Sequence, residues 1–183
     1  QRPEKILLVA PSEKQAGIIM GYVIDHIFDN KLFLSLLEYE EALERLKRER
    51  SKKRITFKNG GEIMVLTANV GTVSKQSKDV MGFGGTMLVA DEAALIPDTM
   101  FSKILRMVGG TNGKLVKISN PWERNHFDKS LNSDKYHSIV IDWRQAVAEG
   151  RLTQEFVDEA RENMPELDFQ VFYESRTPET GPE

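Results

Sequence analysis

Thr86-Met87-Leu88-Val89-Ala90 is an uncharged run of strand length, and Asp91-Glu92 follow it with two carboxylates side by side. Few features restrict a fold more. A run that is apolar at successive positions belongs to a strand covered on both faces, as in a parallel sheet with helices packed on either side. Two acids cannot follow it into that interior. They must emerge at the strand's C-terminal end, the edge where ligands sit in open α/β sheets.

Other segments fit the same architecture. Lys5-Ile6-Leu7-Leu8-Val9-Ala10-Pro11 reads as a short buried strand stopped by its proline. Ser12 and Gln15 have capping-box spacing and open a helix whose Ile18, Ile19, Tyr22, Val23 and Ile27 recur at helical intervals, the expected inner face. His26 beside that stripe reads as structural, because no second ligand stands at metal spacing. A second helical stretch runs from Leu32 to about Arg50 and ends in a charge run, mostly a solvated face. Lys52, Lys53 and Arg54 lack interleaved acids and are the candidates for contact with a phosphate backbone. Arg54–Phe57 and Ile63–Thr67 flank an Asn59-Gly60 turn, which predicts a hairpin with positive φ at both turn residues.

Residues 68–78 show no period, and Met81-Gly82-Phe83-Gly84-Gly85 is a glycine-rich approach to the strand that ends at Asp91. A helix is expected from Asp98, with Met100, Phe101, Ile104, Leu105 and Val108 inward. Lys114–Ser119 is the next strand, ended by Asn120-Pro121. A further strand is expected over His137–Trp143, then a helix capped by Thr153 with Phe156, Val157 and Ala160 inward. The pattern predicts an α/β fold, a mostly parallel central sheet flanked by helices with an added antiparallel hairpin. Its expected division is a core over 1–165 and a C-terminal segment over 166–183.

Composition narrows the function classes. A net charge of -3 gives no global attraction to nucleic acid, so any DNA contact must be a local patch. The absence of cysteine removes disulfides and thiolate metal sites. No apolar stretch approaches the ~20 residues of a membrane-spanning helix. The chain opens Gln1-Arg2-Pro3, without initiator Met or signal-like segment, and closes on linker-like residues, so both ends are expected to continue in a longer protein.

Adjacent carboxylates in a dry crevice repel each other, and a bound cation is the usual remedy. Such a pair divides labour: one acid helps hold Mg²⁺ and the other orients or deprotonates an attacking water. A surface turn with two acids would look the same, so further residues matter. Ser119-Asn120-Pro121 stands at the next strand end, where polar side chains would lie beside the carboxylates of a parallel sheet. Val9-Ala10-Pro11-Ser12 is another strand-to-helix switch at the same edge.

In combination these segments resemble the ATPase domain of the large terminase subunit of tailed viruses, a DNA-packaging motor with a RecA-like P-loop fold. The likeness is carried by Leu7–Ser12 with Gln15-Ala16, Phe57–Ile63, Leu88–Ile96, and Ser119–Trp122 with Asn125-His126-Phe127. Leu152–Glu155 with Phe169 and Tyr173-Glu174 completes it. The resemblance implies that Asp91 is the Walker B ligand of Mg²⁺ and Glu92 the catalytic glutamate. Ser119, Asn120 and Pro121 would couple ATP hydrolysis to DNA movement. It implies ATP and Mg²⁺ as cofactors, and double-stranded DNA and the small terminase subunit as partners. It also implies a homo-oligomeric ring on a capsid portal in the host cytoplasm. Arg106, Arg124 and Arg144 are candidates for an arginine finger, Arg124 standing closest to the coupling residues. Lys75 and Lys78 read as solvated loop residues, and Trp122 and Trp143 as packing residues.

One departure stands out. No Gly-x-x-x-x-Gly-Lys-Ser/Thr occurs. Gly109-Gly110-Thr111-Asn112-Gly113-Lys114-Leu115 is one residue short between its glycines, lacks the hydroxyl and leads into a strand. The phosphate loop is expected upstream of Gln1 and a nuclease domain beyond Glu183. The chain by itself is thus expected to bind nucleotide weakly, and Asp98, Asp128 and Asp142 form no convergent nuclease set. Two alternatives stay open. Helicases of the second superfamily also carry Asp-Glu, usually as Asp-Glu-x-His or Asp-Glu-x-Asp where this chain has Ala93-Ala94. A degenerate domain kept as an assembly module is the other.

Overall fold

The computed structural model describes residues 3–37, 54–68 and 83–179. The chain divides into two compact units, Gln1–Ile118 and Ser119–Glu183. The first holds β1 (Lys5–Ala10), α1 (Glu13–Asp29), α2 (Lys31–Ser35), β2 (Arg54–Thr56), β3 (Glu62–Thr67), β4 (Met87–Asp91), a 3-10 turn over Ala93–Leu95, α3 (Asp98–Gly109) and β5 (Lys114–Ile118). Its sheet has the order β2-β3-β1-β4-β5. β1 runs parallel to β3 and β4, β4 parallel to β5, and only β2 is antiparallel. The expected parallel sheet with a hairpin is what forms.

Strand alternation sorts the side chains into two layers. On one side Ala10 and Val65 pack with Ala16, Met20, Ile24 and Ile27 of α1. On the other, Leu7, Val9, Leu88 and Ala90 are essentially inaccessible, in the layer of Phe101 and Ile104 of α3. Each such aliphatic or aromatic side chain contributes roughly 1.5–3 kcal/mol on leaving water.

Ser12 caps α1 as its spacing predicts, its hydroxyl accepting from the Gln15 N–H at 3.2 Å. The expected inner face is corrected, however. Ile18 is 49% exposed and Tyr22 72%, while Ala16, Met20 and Ile24 take the buried positions. The apolar stripe is wider than the contact it makes. Leu105 of α3 likewise turns to solvent, and Met107 is buried instead.

The hairpin forms with a different turn from the one expected. Phe57 exchanges hydrogen bonds with Gly60 and Gly61, and only Gly60 has positive φ, at 79°. That is a turn closed by one left-handed glycine, not a pair of left-handed residues. Arg54 on β2 and Lys5 on β1 both form ion pairs with Glu62 between them, the Lys5 pair at 3.1 Å. The second predicted helix is cut short: α2 ends at Ser35, and Leu37 forms an antiparallel bridge to Phe57 beside the hairpin, which a continuing helix could not make; residues 38–50 lie outside the described residues.

The second unit contains α4 (His126–Leu131), α5 (Trp143–Ala148), α6 (Gln154–Asn163) and α7 (Glu166–Phe172). Val157 and Phe169 are its most buried side chains, Phe169 stacking on Tyr173 at 4.9 Å. The expected boundary at 165 falls between α6 and α7, inside this unit. The strand predicted over 137–143 is absent. Residues 137–142 form no regular structure and pair with no described strand, leaving Ile139 73% exposed, and Asp142 ends the stretch by capping α5. β-propensity without a partner strand makes no ladder. Phe156 is also exposed, against expectation.

Candidate active site at the C-terminal edge of the sheet

β1 stands in the middle of the sheet. The chain leaves it through α1 towards β3 and later returns to β4 and β5 on its other flank. The C-terminal ends of β1 and β4 therefore border a topological switch point, the crevice where open α/β sheets bind ligands. Val9 pairs with Ala90 one residue before this rim, and Asp91 pairs with Ile118 on β5. Asp91 and Ile118 thus share one rim and one face, the α1 face. Ser119, Asn120 and Pro121 follow Ile118 directly and open the second unit.

On that face Asp91 borders a cavity of about 300 Å³ whose other walls include Leu8, Gln15, Ile18, Tyr22 and Val89. Its walls are apolar apart from Asp91 and Gln15, an arrangement that strengthens the interaction of a carboxylate with any cation placed there. A larger cavity of this unit, about 920 Å³, lies at the opposite end of the strands, beside Glu4, Asn59 and Glu62.

Glu92 has φ 45° and ψ 45°, a left-handed conformation that residues with a Cβ rarely adopt. It turns the chain sharply out of β4 into the 3-10 segment, where Ala93 and Ala94 are buried. Backbone strain of this kind is held in place by surrounding packing and clusters at functional sites. Both acids are half-buried.

Other predicted residues are placed as follows. Arg54 has its guanidinium on Glu62, although its side chain remains 55% exposed. Lys52, Lys53, Lys75 and Lys78 lie outside the described residues. Arg124, within the second unit, donates to the Glu179 carbonyl at 3.2 Å. Arg144 pairs with Asp142 at 2.8 Å and lies over Trp143, and Arg106 is exposed. The Gly109–Leu115 segment ends α3 and enters β5, as expected of a turn. Gly113 there meets the backbone of Gly85 and Thr86: a Cβ would lie 3.0–3.1 Å from three of its atoms.

Sequence reasoning missed two charged groups. Burial alone would push the Glu62 carboxyl up, but hydrogen bonds and charges from Lys5 and Arg54 hold it below its ordinary value. Burial lowers the Lys117 ammonium to about 8, only partly opposed by Asp98, and its Nζ lies 4.3 Å from the Phe101 ring centre. The only available signal was a charge inside an otherwise strand-like segment.

A mostly parallel sheet flanked by helices, with ligand-accessible strand tips at its C-terminal edge, places the chain in the open α/β class. No family model and no curated relative matches the sequence. Solved structures narrow the class: the chain has the fold of phage large terminase ATPase domains. The large terminase ATPase domain of Thermus phage P74-26 superposes with a TM-score of 0.68 at 18% identity, covering 97% of this chain and 78% of that one. The large terminase of another, thermophilic bacteriophage, solved with ADP, gives a TM-score of 0.58 at 13% identity. This match covers 96% of this chain but 41% of that protein, so the chain spans about two fifths of a whole large terminase. A further structure of the same thermophilic phage protein holds ATP-gamma-S. Among the described residues no helix is long and apolar enough to cross a membrane.

Proposed function

We propose that the chain is the core of an ATP-hydrolysing motor domain of the large terminase type, which moves double-stranded DNA into a viral procapsid. The observation that carries this reading is the Asp91-Glu92 pair at the tip of an inner parallel strand, with Glu92 held left-handed at the switch point. Asp91 would hold Mg²⁺. One protein carboxylate suits that ion, whose other positions go to water and phosphate oxygens, and no group of three metal-binding side chains occurs among the described residues. Bound Mg²⁺ would neutralise charge on the β- and γ-phosphates.

Glu92 would orient the attacking water and accept its proton. Ser119, Asn120 and Pro121 would carry the hydrolysis signal onward, because they continue from the strand paired with β4. Arg124 would serve as an arginine finger only after releasing the Glu179 carbonyl. Lys52, Lys53 and Arg54 would touch the DNA backbone. The assembly would be a homo-oligomeric ring on a capsid portal, working with the small terminase subunit in the host cytoplasm.

The phosphate cradle has to come from polypeptide outside these residues. Each charge-assisted contact it supplies is worth roughly 1.5–3 kcal/mol, so residues 1–183 alone should bind nucleotide weakly. The test uses the complete polypeptide. Glu92→Gln should leave ATP binding nearly intact and lower turnover by roughly 10²–10⁴-fold, the usual worth of a general base. Parallel loss of binding and turnover would make Glu92 structural. Absence of both activities from the unsubstituted polypeptide would favour a non-enzymatic assembly module, the reading that the missing Gly-Lys-Ser/Thr motif supports.

A further inference from the structure

The small cavity that Asp91 borders has one other polar wall, Gln15 in the first turn of α1. Gln15, Ile18, Ile19 and Tyr22 stand at i, i+3, i+4 and i+7 and so share one flank of the helix. Asp91 meets that flank from the tip of β4. Among the described residues its carboxylate has no hydrogen-bond partner. The Gln15 carboxamide is fixed from one side only. The Ser12 hydroxyl donates to Gln15 Oε1 at 2.8 Å while accepting from the Gln15 backbone N–H at 3.2 Å. That bond occupies the carboxamide oxygen. The NH2 on the other branch of the same planar group has no acceptor among the described residues. An unpaired donor and an unpaired carboxylate therefore border one cavity whose remaining walls are apolar. Polar groups left unpaired in such surroundings cost free energy until a ligand satisfies them.

The residue type narrows the ligand. A capping box takes Glu as readily as Gln, and a negative charge in the first turn favours a helix. α1 has such a charge at Glu13, but the Thr67 hydroxyl donates to its Oε1 at 2.7 Å and holds it at the end of β3, outside the cavity walls. A carboxylate at position 15 would add a second negative charge beside Asp91, which suits a cation bound alone. Gln keeps the cap and presents a neutral donor, which suits an anionic oxygen. Asp91 thus asks for a cation and Gln15 for an anion's oxygen. A divalent cation carried on phosphate oxygens meets both demands.

We propose that Gln15 is a further ligand-binding residue of this crevice, its carboxamide NH2 donating to a phosphate oxygen of the Mg²⁺-nucleotide whose cation Asp91 holds. The assignment rests on the reading of Asp91 as the metal ligand.

The test compares Gln15→Glu and Gln15→Leu in the complete polypeptide, reading the Kd for ATP-gamma-S with Mg²⁺ by titration calorimetry. Gln15→Glu is nearly isosteric, keeps the acceptor for Ser12 and exchanges only the NH2 for a charged oxygen. Gln15→Leu removes the donor without adding charge. Loss of one hydrogen bond to a charged group should raise the Kd of Gln15→Leu about 10–100-fold. Gln15→Glu should bind at least as weakly, because repulsion is added to the lost bond. Weakening in one variant alone overturns the inference: in Gln15→Leu alone it reports the lost cap, and in Gln15→Glu alone the added charge. Unchanged Kd in both overturns it too, as does tighter binding by Gln15→Glu, which would put the side chain on the cation. The reading of the site fails separately. An unsubstituted protein that does not bind Mg²⁺ and ATP-gamma-S, or an Asp91→Ala variant that binds them undiminished, removes the metal assignment and the role of Gln15 with it.

Discussion

Glu92 offers a direct test of whether its backbone is held left-handed, through the difference between Glu92→Gly and Glu92→Ala. Both variants remove the carboxylate and every contact it makes, so those losses cancel in the comparison. What remains is the Cβ. At φ 45° an L-residue carries roughly 1–2 kcal/mol of strain that glycine does not. Against this, glycine loses about 0.5–1 kcal/mol more backbone entropy on folding than alanine. The balance favours Glu92→Gly by about 0.5–1 kcal/mol, or about 2–4 °C in Tm per kcal/mol for a chain of this size. Far-UV circular dichroism or calorimetry is the appropriate readout. Intrinsic fluorescence is not, because Trp122 and Trp143 both lie in the second unit. An ordinary helical or extended backbone at Glu92 would make alanine the more stable variant. Glu92→Ala melting at or above Glu92→Gly would therefore refute the strained geometry.

Three further outcomes follow from the same structure. In the complete polypeptide, Asp91→Ala should weaken Mg²⁺-dependent nucleotide binding by at least about tenfold, and unchanged affinity in titration calorimetry would remove it from the metal site. Glu62→Gln should cost about 1–2 kcal/mol at neutral pH, measured by urea denaturation, because Lys5 and Arg54 lose their shared carboxylate but stay partly exposed. The depressed Glu62 pKa gives a stabilisation that is full above the unfolded value of 4.5 and lost as pH falls through the lowered folded value, so the variant should also show a flatter acid limb. Lys117 has the opposite sign: its folded value of about 8 lies below the unfolded 10.5, so the unfolded chain binds more protons in between and stability should rise with pH over that window. Lys117→Met should raise Tm at pH 7 and abolish that rise, and a lower Tm would show that the contact with Phe101 outweighs burial.

Legibility in the sequence followed the range of the interaction. Ser12 with Gln15, Asn59-Gly60, and the apolar run before Asp91 all encode their structure within a few residues, and each element formed. Ile18 and Tyr22 did not bury, because periodicity defines a stripe but not how much of it a neighbour reaches. Ile139–Ile141 have strong β-propensity and no ladder, since pairing depends on a distant strand. The Glu62 cluster joins three strands, and nothing local in Lys5 or Arg54 announces it. Glu92 stands out in the sequence by its type and place, but nothing there announces its left-handed backbone, because glutamate carries no such preference.

The contact of Gly113 with the Gly85-Thr86 backbone fixes where β5 begins, and strands transmit position along their length. Five residues at about 3.3 Å each carry that starting point roughly 16 Å to Ile118, opposite Asp91. A methyl group added at the quiet end would wedge the two backbones apart and shift the alignment of the rim without touching any acid. The alignment of the rim that carries Asp91 is thus set at the far end, by a residue with no side chain.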